Sequence, residues 1–264
     1  MACKRAATAM TVQNQAETMI PEAENEEFVS KMMFGVDSAF PANDHLQNNL
    51  SLFEWASRNK LYPNFWGRNI NGENALTVEE INYIHKNGCK VVLIYLDSGE
   101  KETEARGENI ALAIAERAME LGITDGTAVF LKIDSEENAT TDFLRGFADG
   151  MLDQGLIPGF MADTDSVSTF DREYSRGLNT DRELFEKCLI WAVSPSLAEF
   201  NRVTDTHTIS PDEWKPYAPS AITRNEISVW QYGKNCHPVH DDDGKEIVFN
   251  INLTRGTKFL KTTT

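Results

Sequence analysis

The stretch whose reading decides the fold is Thr127-Ala-Val-Phe-Leu-Lys-Ile-Asp134-Ser-Glu136. An apolar run of strand character ends in Asp-x-Glu, and residues two apart on a strand point to the same face. Asp134 and Glu136 are therefore predicted to project together if the strand continues through them. Carboxyls at the C-terminal ends of parallel barrel strands stand where barrel enzymes hold their chemistry. An acidic loop after a strand has the same local pattern, because Glu137 follows and the whole chain is acidic. The flanking segments weigh between the two.

Upstream, Met33-Phe-Gly-Val-Asp37-Ser-Ala-Phe40 is a first strand ending at an acid. A helix over 46–58 and a short second strand over 63–69, carrying Arg68, come next. Thr77-Val-Glu-Glu80 has capping-box spacing and Gly88 supplies the stop of that helix. The run from Cys89 to Asp97 is almost continuously apolar, as in a buried parallel strand. A helical stripe over 108–121 leads into the quoted strand. Downstream come a helix over 143–154 and a fifth strand over 156–163.

Strands and helices thus alternate, which predicts a parallel sheet with crossover helices. Asp37, Asp97, Asp134 and Asp163 end successive strands, and such ends converge on one mouth. One acid in that position is readily an N-cap; four favour a lined pocket. After Lys187 the character changes. Strands are predicted over 188–193 and 227–232, and a hairpin turn at Asp241–Gly244 leads to a partner strand from Glu246 to Asn252. No clear helix falls between 195 and 221. Residues 1–27 form a predicted mobile leader, 28–255 a single domain, and 256–264 a polar tail that should fray.

Composition narrows the functions. Lys and Arg number 25 against 41 Asp and Glu, a formal charge of −16. That field repels phosphate backbones and anionic membranes, so no nucleic acid partner is expected and neutral or cationic substrates fit better. No apolar run approaches the roughly 20 residues of a membrane span. The four cysteines, Cys3, Cys89, Cys188 and Cys236, are scattered, which is neither a disulfide framework nor a zinc pattern. Cys236-His-Pro-Val-His240 before Asp241–Asp243 matches no standard zinc spacing, so neither metal nor cofactor is expected. Lys4 and Arg5 are not followed by the apolar core of a signal peptide. Either export by that route does not apply or a leader has been removed or replaced. Oligomeric state is left open.

The motifs taken together resemble a known family. Phe34-Gly-Val-Asp37, Leu76-Thr-x-Glu-Glu80, Gly88-x-Lys-Val-Val-Leu-Ile-Tyr95, Ile133-Asp134-Ser-Glu136, Leu189-Ile-Trp191-Ala192 and Trp230-Gln231-Tyr232 occur in order across residues 33–254. In these the chain resembles the glycoside hydrolase-like TIM-barrel domains related to family 25 lysozymes, the Chalaropsis-type muramidases. The resemblance implies an α/β fold, a modified TIM barrel of about five β/α units followed by three strands with little helix. It also implies a carbohydrate-binding mouth, peptidoglycan or a related polysaccharide as partner, and an extracellular or cell-envelope setting. Carried over by position, Glu136 is the general acid, Asp134 and Asp37 are its acidic partners, and Trp230, Gln231 and Tyr232 lie near sugar subsites. Two departures stand out. Asn250-Ile-Asn252 occupies the place of the usual Asp-x-Asn on the last strand, and the stretch between Trp191 and Trp230 is lengthened.

The chemistry agrees with that assignment. Glycoside cleavage needs a carboxylic acid at the leaving oxygen and a second carboxylate at the developing cation, about 5–9.5 Å apart. Crowded like charges raise one pKa and keep that group protonated. Asp97 and Asp163 would add acceptors at the mouth. Tyr95, Trp191, Trp230 and Tyr232 could stack on pyranose faces, although aromatics, Trp191 especially, also fill cores. Arg68 could bind a carboxylate or sugar hydroxyl, with pairing to a mouth acid the plainer expectation. Two functions remain in view: a lysozyme-type hydrolase, or a non-catalytic glycan-binding barrel of the cell envelope or a phage particle.

Overall fold

The computed structural model describes residues 32–97, 103–133, 139–197, 214–255 and 259–264. Eight strands close a barrel in chain order: β1 Met32–Ser38, β2 Phe65–Asn69, β3 Lys90–Leu96, β4 Ala128–Lys132, β5 Ile157–Ala162, β6 Leu189–Val193, β7 Val229–His240 and β8 Glu246–Arg255. β1 to β7 pair in parallel, and β8 runs back antiparallel to both β7 and β1. The crossovers are α1 Leu52–Arg58, α2 Val78–Lys86, α3 Glu104–Glu120, α4 Thr141–Asp153, and α5 Thr169–Thr180 followed by the short α6 Arg182–Phe185. No helix separates β6, β7 and β8 among the described residues except a single 3₁₀ turn at Arg224–Glu226. This is the modified barrel that the family resemblance implies.

Each long helix starts where a hydroxyl can accept an otherwise unpaired N–H. Thr77, Thr103, Thr140 and Ser168 each accept from the backbone three residues on, which is worth about 1 kcal/mol per cap. Gly88 and Gly122 follow α2 and α3 at φ of 74° and 70°, a left-handed conformation that glycine adopts without strain. The amphipathic α5 buries Phe170, Tyr174 and Leu178 on one stripe, where the sequence pattern marks no helix. α3 and α4 pack through glycines. A Cβ on Gly146 would fall 2.2 Å from the Glu104 carbonyl oxygen, and one on Gly107 2.4 Å from that of Phe143.

Alternation along the strands divides the core. Phe65, Val92, Ile94, Phe130, Met161, Trp191 and Val229 fill the lumen. Their bulk fits because glycines face them: a Cβ on Gly35 would lie 2.3 Å from the Phe65 ring, and one on Gly159 2.6 Å from that of Phe130. The alternate residues, Trp66, Leu93, Leu131, Phe160, Ile190 and Trp230 among them, pack outward under the helices.

The end of the chain departs from the fraying tail predicted. Phe259 is buried, edge-on to Phe65 and Phe130. Thr264 exchanges two backbone bonds with Val91, and Ala128 N–H donates to the Thr262 carbonyl. Two apolar residues in a polar tail thus close the N-terminal end of the barrel and satisfy strand-start amides. β7 also runs past the predicted Tyr232 to His240, with register shifts after Gln231, Gly233 and Cys236. Its arm rests on α1, where His237 stacks on Phe249 and meets Trp55 edge-on. No helix among the described residues is long and apolar enough to cross a membrane.

Candidate functional site

The strand ends from β4 to β8 surround a cavity of about 330 Å³ whose walls include Lys132, Met161, Asp163, Gln231, Lys234 and Asn250. Lys132, Gln231 and Asn250 reach it because strand parity turns them into the lumen, in line with Phe130, Val229 and Asn252.

Asp37, at 7 % exposure, does not line the cavity but is bonded to a residue that does, Asn250. Asn250 and Asn252 sit two apart on β8, opposite Asp37 and Gly35. Asn250 Nδ2 donates to Asp37 Oδ2 at 2.7 Å and Asn252 Nδ2 to Oδ1 at 2.8 Å. Both amides are held in that sense from behind. Asn250 Oδ1 accepts the Asn235 N–H at 3.0 Å, and Asn252 Oδ1 accepts Trp191 Nε1–H at 3.0 Å. Each carboxylate oxygen is therefore met by an N–H. Burial pushes the Asp37 carboxyl above its ordinary range, while the Asn252 and Asn250 amides and the charge of Lys132 pull the other way. Burial prevails.

Gln231 lines the cavity at 2 % exposure, and its Oε1 has no hydrogen-bond partner among the described residues. A buried acceptor left without a donor costs about 1–3 kcal/mol. Asp163 is exposed on the cavity wall, with Oδ1 accepting the Asp165 N–H.

The other predicted residues divide by strand face. Asp134 and Glu136 lie outside the described residues; Ile133, just before them, lines the cavity. Asp97 pairs with Arg106 on the first turn of α3, on the outer side of β3. Arg68 corrects the expected pairing with a mouth acid. Gly67 and Asn69 take the lumen side of β2, so Arg68 points outward and is fully buried. Its Nε donates to Glu80 Oε1 at 2.6 Å and its Nη2 to Oε2 at 3.2 Å, with further bonds to the carbonyls of Ser38 and Asn74. Glu80 is thereby drawn from the predicted capping box. Thr77 still accepts the Glu80 N–H, but the carboxylate goes to Arg68 and the Ala42 N–H.

Tyr95, Trp230 and Tyr232 likewise face away from the lumen and give no surface to the cavity. Trp230 Nε1–H donates to the Ser194 carbonyl at 2.9 Å. Trp191 does face the lumen, but at 0 % exposure its ring is packed against those of Phe65 and Phe130, and its Nε1–H orients Asn252. Of the residues predicted to bind substrate, Gln231 and Asp163 reach the cavity, and Asp37 is joined to it through Asn250. Lys132, Lys234 and Phe170, which also line it, were not singled out from sequence. For Lys132 the signal was present, since it precedes Asp134 by two on the same face of the quoted strand.

A family model described as "Rv2525c-like, glycoside hydrolase-like domain" matches residues 62–244. Among solved structures, an uncharacterized protein of B. stearothermophilus is similar at a TM-score of 0.69 and 22 % identity, over 88 % of this chain and 100 % of that one. The catalytic domain of an endolysin from a bacteriophage of Listeria monocytogenes is similar at 0.50 and 15 %, over 88 % and 96 %. The bacterial lysozyme from Streptomyces coelicolor is similar at 0.50 and 10 %, over 87 % and 96 %. At such identities these likenesses establish the fold alone. No protein of curated function matches significantly.

Proposed function

Since the chain belongs to the Rv2525c-like, glycoside hydrolase-like domain family, we propose that it acts on a cell-wall glycan of the peptidoglycan type at the mouth joined to Asp37 through Asn250. The carrying observation is Asn250, which lines the cavity and also donates to the buried Asp37 carboxylate. A sugar in the cavity would rest on the layer that orients this acid. Gln231 Oε1 would accept a hydroxyl or acetamido N–H, and Asp163 a second hydroxyl from the exposed side. Glu136 is assigned as the general acid, protonating the leaving oxygen. Asp37 or Asp134 would serve the developing cation or orient the substrate's own N-acetyl group. Such a substrate places the protein outside the cell or in its envelope.

One observation favours a second reading, a barrel that binds glycan without cleaving it. At Asn250, where the family pattern has an acid, an amide is committed to Asp37. Release of reducing ends from purified peptidoglycan, wild type beside Glu136→Gln, separates the two. Release by the wild type alone supports hydrolysis with Glu136 as the acid. Release by both removes Glu136 from that role, and retention on the insoluble wall without release selects the binder.

A further inference from the structure

A second hollow opens beside the first. It has a volume of about 350 Å³ and shares Asp163, Ser168, Val193 and Pro195 with the mouth cavity. Its own walls add Asp165, Val167, Ser194 and Tyr217. Tyr217 is 52 % exposed. Lone exposed aromatics are common on protein surfaces, but the setting of this one is unusual.

The backbone beneath the ring is fastened from two strand ends. Tyr217 N–H donates to Ser194 Oγ, beyond β6, at 3.2 Å, and its carbonyl accepts Thr164 Oγ1–H, beyond β5, at 2.9 Å. Pro216 and Pro219 flank it. On one side Trp214 packs against Trp230 and donates to the Arg224 carbonyl; on the other Ser220 is bonded to Asp171 through both N–H and hydroxyl. A ring on such a support loses little conformational freedom on meeting a ligand. Asp163 and Asp165 each use one carboxylate oxygen on a nearby backbone N–H, leaving the other for a hydroxyl. A flat aromatic face beside carboxylates suits the apolar face and hydroxyl edge of a neutral pyranose.

We infer that Tyr217, with Asp163 and Asp165, forms a second sugar subsite, holding the residue of a glycan strand next to the one in the mouth cavity. The inference rests on the glycan reading of the mouth and extends it. Tyr217 stands in the stretch between Trp191 and Trp230 that is lengthened relative to the family pattern, so the subsite gives this chain a preference for strand length that the barrel itself does not confer.

The test is calorimetric titration of the full chain with N-acetylglucosamine and with a peptidoglycan-derived disaccharide, for wild type, Tyr217→Ala and Tyr217→Phe, each checked for folding by its thermal transition. The wild type should bind the disaccharide about 10-fold more tightly than the monosaccharide, the scale of one aromatic stacking contact. Tyr217→Ala should bring that ratio close to one, and Tyr217→Phe should keep it. Equal affinity of the wild type for both lengths, or an undiminished ratio in Tyr217→Ala, overturns the subsite while leaving the mouth as a glycan site. Binding of neither sugar by the wild type overturns both.

Discussion

Asp37 is decided by a competition that its neighbours make visible. Loss of water raises its pKa, and two amide donors recover only part of the cost. A carboxyl raised in the folded state contributes stability below its ordinary range that is lost as pH rises through the folded value. Glu173 shows the opposite sign. Burial raises it, but bonds from the Thr141 hydroxyl, Arg172 and the Thr141 N–H, with the charge of Arg176, outweigh burial and lower it overall. Its contribution is present above the ordinary range and lost as pH falls through the folded value. Melting curves across pH 3–7 should therefore show Glu173→Gln approaching the wild type in acid. Asp37→Asn should show its smallest deficit at the alkaline end. A deficit for Glu173→Gln that is the same at every pH would refute the first assignment. Replacing Asn250 by Asp would set two carboxylates at hydrogen-bond distance and raise the pair further, detectable as a higher carboxyl midpoint by NMR titration.

At the scale of elements, the order and kind of strands were legible because parallel strands are continuous apolar runs and helices carry hydroxyl caps. The parity of those strands was not. Trp230 and Tyr232 share a face, as their spacing requires, but it is the outer one, and Gln231 between them takes the lumen. Where both faces of a strand are buried, no polar alternation marks the inside, and a shift of one residue exchanges the two sets. The same ambiguity hid Arg68, whose buried pair with Glu80 joins β2 to α2. Breaking it from one side, as in Glu80→Gln, should cost about 3–5 kcal/mol by leaving an uncompensated guanidinium. Denaturant unfolding would read this as a lowered midpoint at unchanged slope, and a loss under 1 kcal/mol would mean that the pair is not the clamp described. Gly146→Ala, by forcing a methyl against the Glu104 carbonyl, should cost about 1–3 kcal/mol by overpacking α3 on α4.

For the whole molecule, the barrel is open at one end and closed at the other. Phe259 and the backbone of residues 262–264 seal the N-terminal end, and Phe259→Ala should cost about 3–5 kcal/mol without altering glycan affinity. A tail read as polar concealed this, because two apolar residues carry no period of their own. The open end gathers Lys132, Gln231 and Asn250, the last bonded to Asp37. From the sequence, Asp37, Gln231 and Asp163 could be named for that mouth, whereas Lys234 and Phe170 enter through the folded course of β7 and α5. The central claim is that this mouth holds a sugar against Gln231. Titration of a peptidoglycan-derived disaccharide into wild type and Gln231→Leu tests it most directly. The substitution keeps the volume and removes a buried acceptor that has no partner among the described residues, so the variant should melt at or above the wild-type temperature. It should also bind the disaccharide at least about 10-fold more weakly. Equal affinity in the two proteins, or no binding by the wild type, would contradict the claim.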